Sequence, residues 1–162
     1  MHPRRIIIAI NIPGGQQLHL EHLVLDLNGT IALDGRLLPE ARERMARLAE
    51  SLQVHVLTAD THGTARAQCA GTGAQVRTFP RGAAESEKLA IVRNLGAESC
   101  CCIGNGRNDR AMCQAAALSV AVVGREGVCA ALLPCVDVGV TSITDALDLL
   151  LEPQRLVATL RW

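Results

Sequence analysis

The feature that most constrains this chain is an alternation: short, continuously apolar runs recur between segments whose apolar positions fall at helical spacing. Val54 to Leu57, Cys100 to Ile103 and Leu118 to Val123 are runs of the first kind, and Gln75 to Thr78 and Val136 to Val138 are shorter ones. Between them, Pro39 to Leu52 places Ala41, Met45, Leu48, Ala49 and Leu52 on one face, with Pro39 suited to a first helical turn. Glu85 to Leu95 repeats the pattern through Leu89, Val92 and Leu95, and Gly96 stops it. Thr64 to Cys69, Asn108 to Ala117 and Val128 to Leu133 read as shorter helices; another opens at Thr141 or Ser142 and closes before Pro153, and Gln154 to Leu160 is helical again. Strands apolar on both faces need helices over both, so the pattern predicts an α/β fold, a three-layer Rossmann-like parallel sheet. Ahead of it, Arg5 to Ile10 and Leu18 to Leu27, joined by Pro13-Gly14-Gly15, predict a hairpin running into a central strand. The 162 residues suit one domain: a hairpin extension over 1–20, a core over 21–151 and a C-terminal helix over 152–162.

Composition narrows what such a sheet can serve. Aromatic residues make up 1% of the chain, one Phe and one Trp without Tyr, too few for the stacking platforms that hold single-stranded nucleic acid. Lys and Arg number 16 against 16 Asp and Glu, which leaves no basic footprint for DNA, RNA or an anionic membrane. No apolar run reaches the ~18 residues of a membrane-spanning helix, and Ile6 to Ile10 is too short for a secretory core. Seven cysteines, three of them consecutive at Cys100 to Cys102 and none in a CxxC pair, read as reduced, buried thiols and not as a disulfide or zinc framework. A cytoplasmic protein without a nucleic-acid or membrane partner is the expectation.

In a parallel sheet with helical crossovers, ligands bind beyond the carboxyl ends of the strands, which singles out Asp26 to Thr30, Thr58 to Asp60, Lys88 and Gly104 to Asp109. Asp26, ending an apolar strand, is placed to attack as a nucleophile, and Gly29 and Thr30 can turn the backbone and present amides to an anion. Carboxylate attack on a phosphoryl group sets negative oxygens against one another, so cations must be supplied. Lys88 supplies one charge; a magnesium ion on Asp26, a backbone carbonyl and the Asn105/Asp109 pair supplies another. Thr58 offers a hydroxyl donor. Taken singly, Asp26 reads as a helix cap or turn residue, Lys88 as a solvated helix residue, Thr58 as a strand-end cap and Asn105 as a loop amide, and Asp60 reads as a structural cap or hinge contact. His19 and His22, three apart on one expected strand, face opposite sides and form no ligand pair. His62 is the histidine near enough to Thr58 to reach the site.

Read in order, Asp26-Leu27-Asn28-Gly29-Thr30, Leu57-Thr58-Ala59-Asp60-Thr61, Lys88 and Gly104-Asn105-Gly106-Arg107-Asn108-Asp109 resemble the motifs of the haloacid dehalogenase-like (HAD) superfamily of aspartate-nucleophile phosphohydrolases. Within it they are most similar to the phosphorylation domain of P-type ATPases. The likeness runs from about Leu23 to Val140. It implies a HAD-like fold and a magnesium-dependent hydrolase, a phosphatase or ATPase-like enzyme, working through an aspartyl phosphate on Asp26. It assigns catalysis to Asp26, Asn28, Thr58 and Lys88, phosphate binding to Gly29, Thr30, Thr58, Ala59, Lys88 and Asn108, and Mg2+ to Asp26, Asn28, Asn105 and Asp109.

Two positions depart from the superfamily pattern. Asn28 stands where phosphatases carry a general acid and base, and an amide cannot shuttle a proton, so slow dephosphorylation is expected. Asn105 stands where the hinge motif has a metal-binding Asp, which removes one negative charge. Too little chain separates Thr30 from Pro39, or Thr78 from Lys88, to hold a cap domain. A capless, open site suits a phosphorylated small molecule or a phosphoprotein, or a homo-oligomer whose neighbour covers it. The alternative is a phosphate-binding regulatory or scaffold module with little or no turnover.

Overall fold

The computed structural model describes residues 7–59 and 63–162. The expected strand start at Arg5, and Asp60, Thr61 and His62, lie outside the described residues.

Strands β1 (Ile8–Asn11) and β2 (Gln17–Leu20) form the antiparallel hairpin. The expected run Leu18 to Leu27 is two strands, because the chain changes hydrogen-bonding partners at Glu21, whose amide donates to the Ser99 carbonyl and whose carbonyl accepts from Gln53. The burial pattern changes with it, from alternating in β2 to nearly continuous in β3 (His22–Asp26). Two short antiparallel strands, β4 (Ala32–Leu33) and β5 (Arg36–Leu37), make a flap around Asp34 and Gly35. Helix α1 (Pro39–Leu48) begins at the proline and buries Ala41, Met45 and Leu48.

The remainder alternates as the periodicity predicts: β6 (Gln53–Thr58), α2 (Thr64–Cys69), β7 (Gln75–Thr78), α3 (Ala84–Leu95), β8 (Cys100–Gly104), α4 (Arg110–Ala115), β9 (Leu118–Val122), β10 (Val138–Val140), α5 (Ile143–Leu151) and α6 (Pro153–Leu160). The expected helix at Val128 to Leu133 is a 3-10 turn at Ala130–Cys135, which contains Pro134, a residue without the amide an α-helix needs. The last strand lies two residues beyond its expected start because Val138 pairs with Val120. Ser142 caps α5, its hydroxyl accepting from the Asp145 amide at 3.1 Å, a contact that satisfies one of the orphan donors of the first turn.

The sheet is parallel, in the order β10-β9-β8-β3-β6-β7. Alternate strand residues serve two cores. Leu23, Leu25, Val54, Val56, Cys101 and Ile103 face α1, α5, α6 and the hairpin. Val24, Leu57, Cys100 and Cys102 face α3 and α4. The three consecutive cysteines are therefore split between the cores, and the described cysteines are all free. Among the described residues, no helix is long and apolar enough to cross a membrane. With only the flap between β3 and α1, and residues 79–83 between β7 and α3, no cap domain covers the sheet among the described residues.

Candidate active site

From β3 the chain builds outward through β6 and β7 on one side, then returns to place β8 against the other flank of β3. The reversal leaves a crevice beyond the carboxyl ends of β3 and β8, the position where open parallel sheets bind ligands. Asp26, the last residue of β3, opens into it, and Gly104 at the end of β8 leads into the hinge segment 104–109.

Lys88 reaches in from α3, although only 2% exposed, and donates to three oxygens: Asp26 Oδ1 at 2.9 Å, Asn108 Oδ1 at 2.8 Å and Asp109 Oδ1 at 2.8 Å. An ammonium has three protons, so each has an acceptor. Asp109, 0% exposed, takes the amides of Asn105 (3.1 Å) and Gly106 (2.9 Å) on its other oxygen. A side chain on Gly104 would collide with that carboxylate, so the motif needs glycine there. Burial works against the Lys88 charge, but Asp26 and Asp109 outweigh it and hold the ammonium above its ordinary value. Burial and then the repulsion of Asp109 push Asp26 up to about 7, against the pull of Lys88.

On the far side of Asp26, the Thr30 hydroxyl lies 3.4 Å from Asp26 Oδ2 and 3.1 Å from Asn105 Oδ1. The Asn105 amide nitrogen turns the other way and donates to the Gly127 carbonyl at 3.1 Å. Gly29 sits at φ +78°, and a Cβ on it would strike the Asn105 amide, so its glycine is required twice over. The expectation that Gly29 and Thr30 present amides to an anion changes here: their amides donate to the carbonyls of Ala32 (2.9 Å) and Leu27 (3.3 Å), closing the turn. Thr30 faces Asp26 through its hydroxyl instead.

The structure thus joins Asp26, Thr30, Lys88, Asn105, Asn108 and Asp109 in one hydrogen-bonded set. Thr58 is buried at the end of β6, one step past the register partner of Asp26, with Ala59 following it. Asn28 is exposed on the turn after Asp26. Asp109, expected among metal ligands, accepts from Lys88 on one oxygen and from the Asn105 and Gly106 amides on the other, and so ties Lys88 to the hinge loop. Among the described residues no cluster of three or more acidic, histidine or cysteine side chains is arranged for a metal.

A cavity of about 430 Å³ begins at Gly29 and Thr30 and runs between the flap, residues 122–126 and the first turn of α5. Sequence reasoning missed it, and missed that Glu126 holds the flap by accepting from the Asp34 amide at 3.3 Å. It also missed a pair at the opposite end of the sheet. His22 and His19 lie on different strands, so the face argument between them does not apply; His22 Nδ1 instead lies 3.1 Å from His55 Nε2.

No protein-family model matches the chain. In structure it is similar to the cobalt-bound deoxy-D-mannose-octulosonate 8-phosphate phosphatase of Haemophilus influenzae (TM-score 0.69, 17% identity, 84% of this chain and 90% of that one). A second similar structure is the 3-deoxy-D-manno-octulosonate 8-phosphate phosphatase of Moraxella catarrhalis, solved with magnesium, phosphate and KDO (TM-score 0.69, 13% identity, 86% and 92%). In sequence it is 27% identical over 145 residues to the phospholipid-transporting ATPase Neo1 of Saccharomyces cerevisiae, spanning 90% of this chain but 11% of that protein. It is 39% identical over 84 residues to the uncharacterised protein MJ0073 of Methanocaldococcus jannaschii, covering 49% of this chain and 90% of that one. On this evidence the chain belongs to the family represented by MJ0073, built on the haloacid dehalogenase-like fold.

Proposed function

We propose that the chain is a magnesium-dependent phosphohydrolase whose nucleophile is Asp26. The observation that carries this reading is the buried ammonium of Lys88 fixed between Asp26 and Asp109 at the crevice of the sheet. A cation so placed is of little use to folding alone, since buried ion pairs seldom add net stability. It is well placed to screen an attacking carboxylate from phosphoryl oxygens. The solved phosphatases of the same fold support it, the Moraxella catarrhalis structure with magnesium and phosphate in particular.

The donors near Asp26 are oxygens, the chemistry magnesium prefers. Asp26, Asn105 Oδ1 and the main-chain carbonyl of Asn28 would hold the ion, which when bound supplies positive charge to the phosphoryl oxygens. Asp26 attacks phosphorus as the bond to the leaving oxygen breaks, forming an aspartyl phosphate, and water then attacks phosphorus and releases phosphate and the carboxylate. Thr58 and Lys88 bind the phosphoryl oxygens, and Asp109 keeps Lys88 in position. With Asn28 in place of a carboxylate, solvent carries the protons, and dephosphorylation is the slow step. The cavity beside Gly29 and Thr30 has room for a small organic group, which favours a phosphorylated small molecule over a phosphoprotein as substrate.

The test is hydrolysis of acetyl phosphate and p-nitrophenyl phosphate with magnesium. Asp26→Asn is expected to abolish turnover and binding of beryllium fluoride, and Asn28→Asp to speed dephosphorylation by about 10²–10⁴-fold in single-turnover kinetics. Full activity in Asp26→Asn would overturn the nucleophile. Phosphate binding without turnover in the wild type would instead favour a regulatory module.

A further inference from the structure

We infer that the site takes up its divalent cation together with the phosphoryl group and does not hold it as a resident ion; this rests on the phosphohydrolase reading. The buried set contains two carboxylates and one ammonium, Asp26, Asp109 and Lys88, a formal charge of one negative unit before any metal arrives. Asp109 is turned away from the crevice: the residue is wholly buried, with Oδ1 accepting from Lys88 and Oδ2 from two backbone amides. Asp26 has Oδ1 on Lys88; its Oδ2 lies 3.4 Å from the Thr30 hydroxyl, whose one proton is nearer Asn105 Oδ1, so Oδ2 is the oxygen that remains. The third candidate, Asn105, is neutral.

Its neutrality is built into the fold. The Asn105 amide nitrogen donates to the Gly127 carbonyl at 3.1 Å while its oxygen accepts the Thr30 hydroxyl. An aspartate here would set a carboxylate oxygen against the Gly127 carbonyl, two acceptors with no proton between them. The amide therefore does two things: it fastens the loop at Gly127 to the hinge, and it fixes a carbonyl-type oxygen toward Asp26. One anionic oxygen is a poor return for magnesium, which gives up its waters reluctantly. A phosphoryl group brings the missing negative oxygens into the same crevice. Metal and phosphate then strengthen each other, and by linkage the factor is the same in both directions.

The experiment uses the wild-type chain and two probes, Mn2+ followed by electron paramagnetic resonance and inorganic phosphate followed by 31P NMR. Saturating phosphate is expected to tighten Mn2+ binding on the order of tenfold or more, and saturating Mg2+ to tighten phosphate by a matching factor. Asn105→Asp is expected to bind Mn2+ more tightly without phosphate and to show a smaller coupling factor. Because that variant also loses the contact to Gly127, the reciprocal pair of wild-type titrations decides the matter independently. Mn2+ affinity unchanged by phosphate, in a protein that still hydrolyses acetyl phosphate, would overturn the coupling and leave the phosphohydrolase reading standing. Failure of the wild type to bind phosphate under any condition would remove both.

Discussion

The two ends of the central sheet bury polar groups in opposite ways. At the carboxyl end, the Asp26 and Asp109 carboxyls surround the Lys88 ammonium, and each oxygen of Asp109 and each proton of Lys88 has a partner. At the amino end, His22 and His55 share one close contact, His55 Nδ1 has no partner, and the Cys100 thiol donates to the Gly96 carbonyl at 3.2 Å. Burial, with help from Arg77 and His22, pushes His55 down to about 4, so that ring stays neutral. A buried charge persists only where opposite charge and hydrogen bonds surround it. Without those, the group gives up its charge. The same sheet therefore carries an ion-paired cluster at one end, suited to chemistry, and an uncharged imidazole and thiol at the other, suited to packing.

The largest effect should come from unbalancing the charged end. Lys88→Met leaves the partly buried Asp26 and the wholly buried Asp109 without a cation, and a stability loss of about 3–5 kcal/mol is expected by urea unfolding at neutral pH. A loss under 1 kcal/mol would mean that Asp26 and Asp109 are far better solvated than their burial indicates.

Acid titration sharpens the comparison, because the two ends respond with opposite sign. Below pH 7 the unfolded chain protonates His55 while the folded chain, with that histidine near 4, does not, so stability falls as pH drops from 7 toward 4. Asp26 acts the other way: its folded value near 7 exceeds the ordinary 3.8, so the folded state binds the proton first, and stability falls as pH rises from 4 through 7. Each contributes a slope of at most about 1.4 kcal/mol per pH unit. In metal-free protein, Asp26→Asn should expose the His55 slope and lose stability more steeply in acid than wild type. His55→Gln should do the reverse. Identical urea midpoints for all three proteins between pH 4 and 7 would contradict both assignments.

A smaller effect is expected at the cap of α5, where Ser142→Ala should cost about 1 kcal/mol in thermal unfolding. The smallest concerns the thiols. Burial raises those of Cys100, to about 12, and Cys102, so in the native protein the partly exposed Cys129 and Cys135 should be alkylated first. Rapid labelling of Cys100 or Cys102, located by mass spectrometry, would show that the neutral end opens locally.

Much of this was legible in one dimension. Apolar runs and helical spacing predict the parallel sheet, and once strand ends are located, the placement of Asp26 and Gly104 to Asp109 in one crevice follows from topology. The split at Glu21 was not legible, because the change of hydrogen-bonding partners to Ser99 and Gln53 depends on residues far along the chain. The pairing of His22 with His55 was not, because 33 residues separate them and only the β3–β6 register brings them together.

By itself the sequence determined which chemical groups were available and that they would lie beyond the carboxyl ends of strands, because strand period, helix period and turn residues act over a few neighbours. Tertiary structure decided what each group does there. Asp109 became the anchor of Lys88 because α3 delivers an ammonium to it, and Asn105 became a latch because the Gly127 carbonyl waits on its other side. Hydrogen-bond capacity belongs to a residue; its consumption depends on neighbours that the chain brings from far along its length, and packing alone selects them.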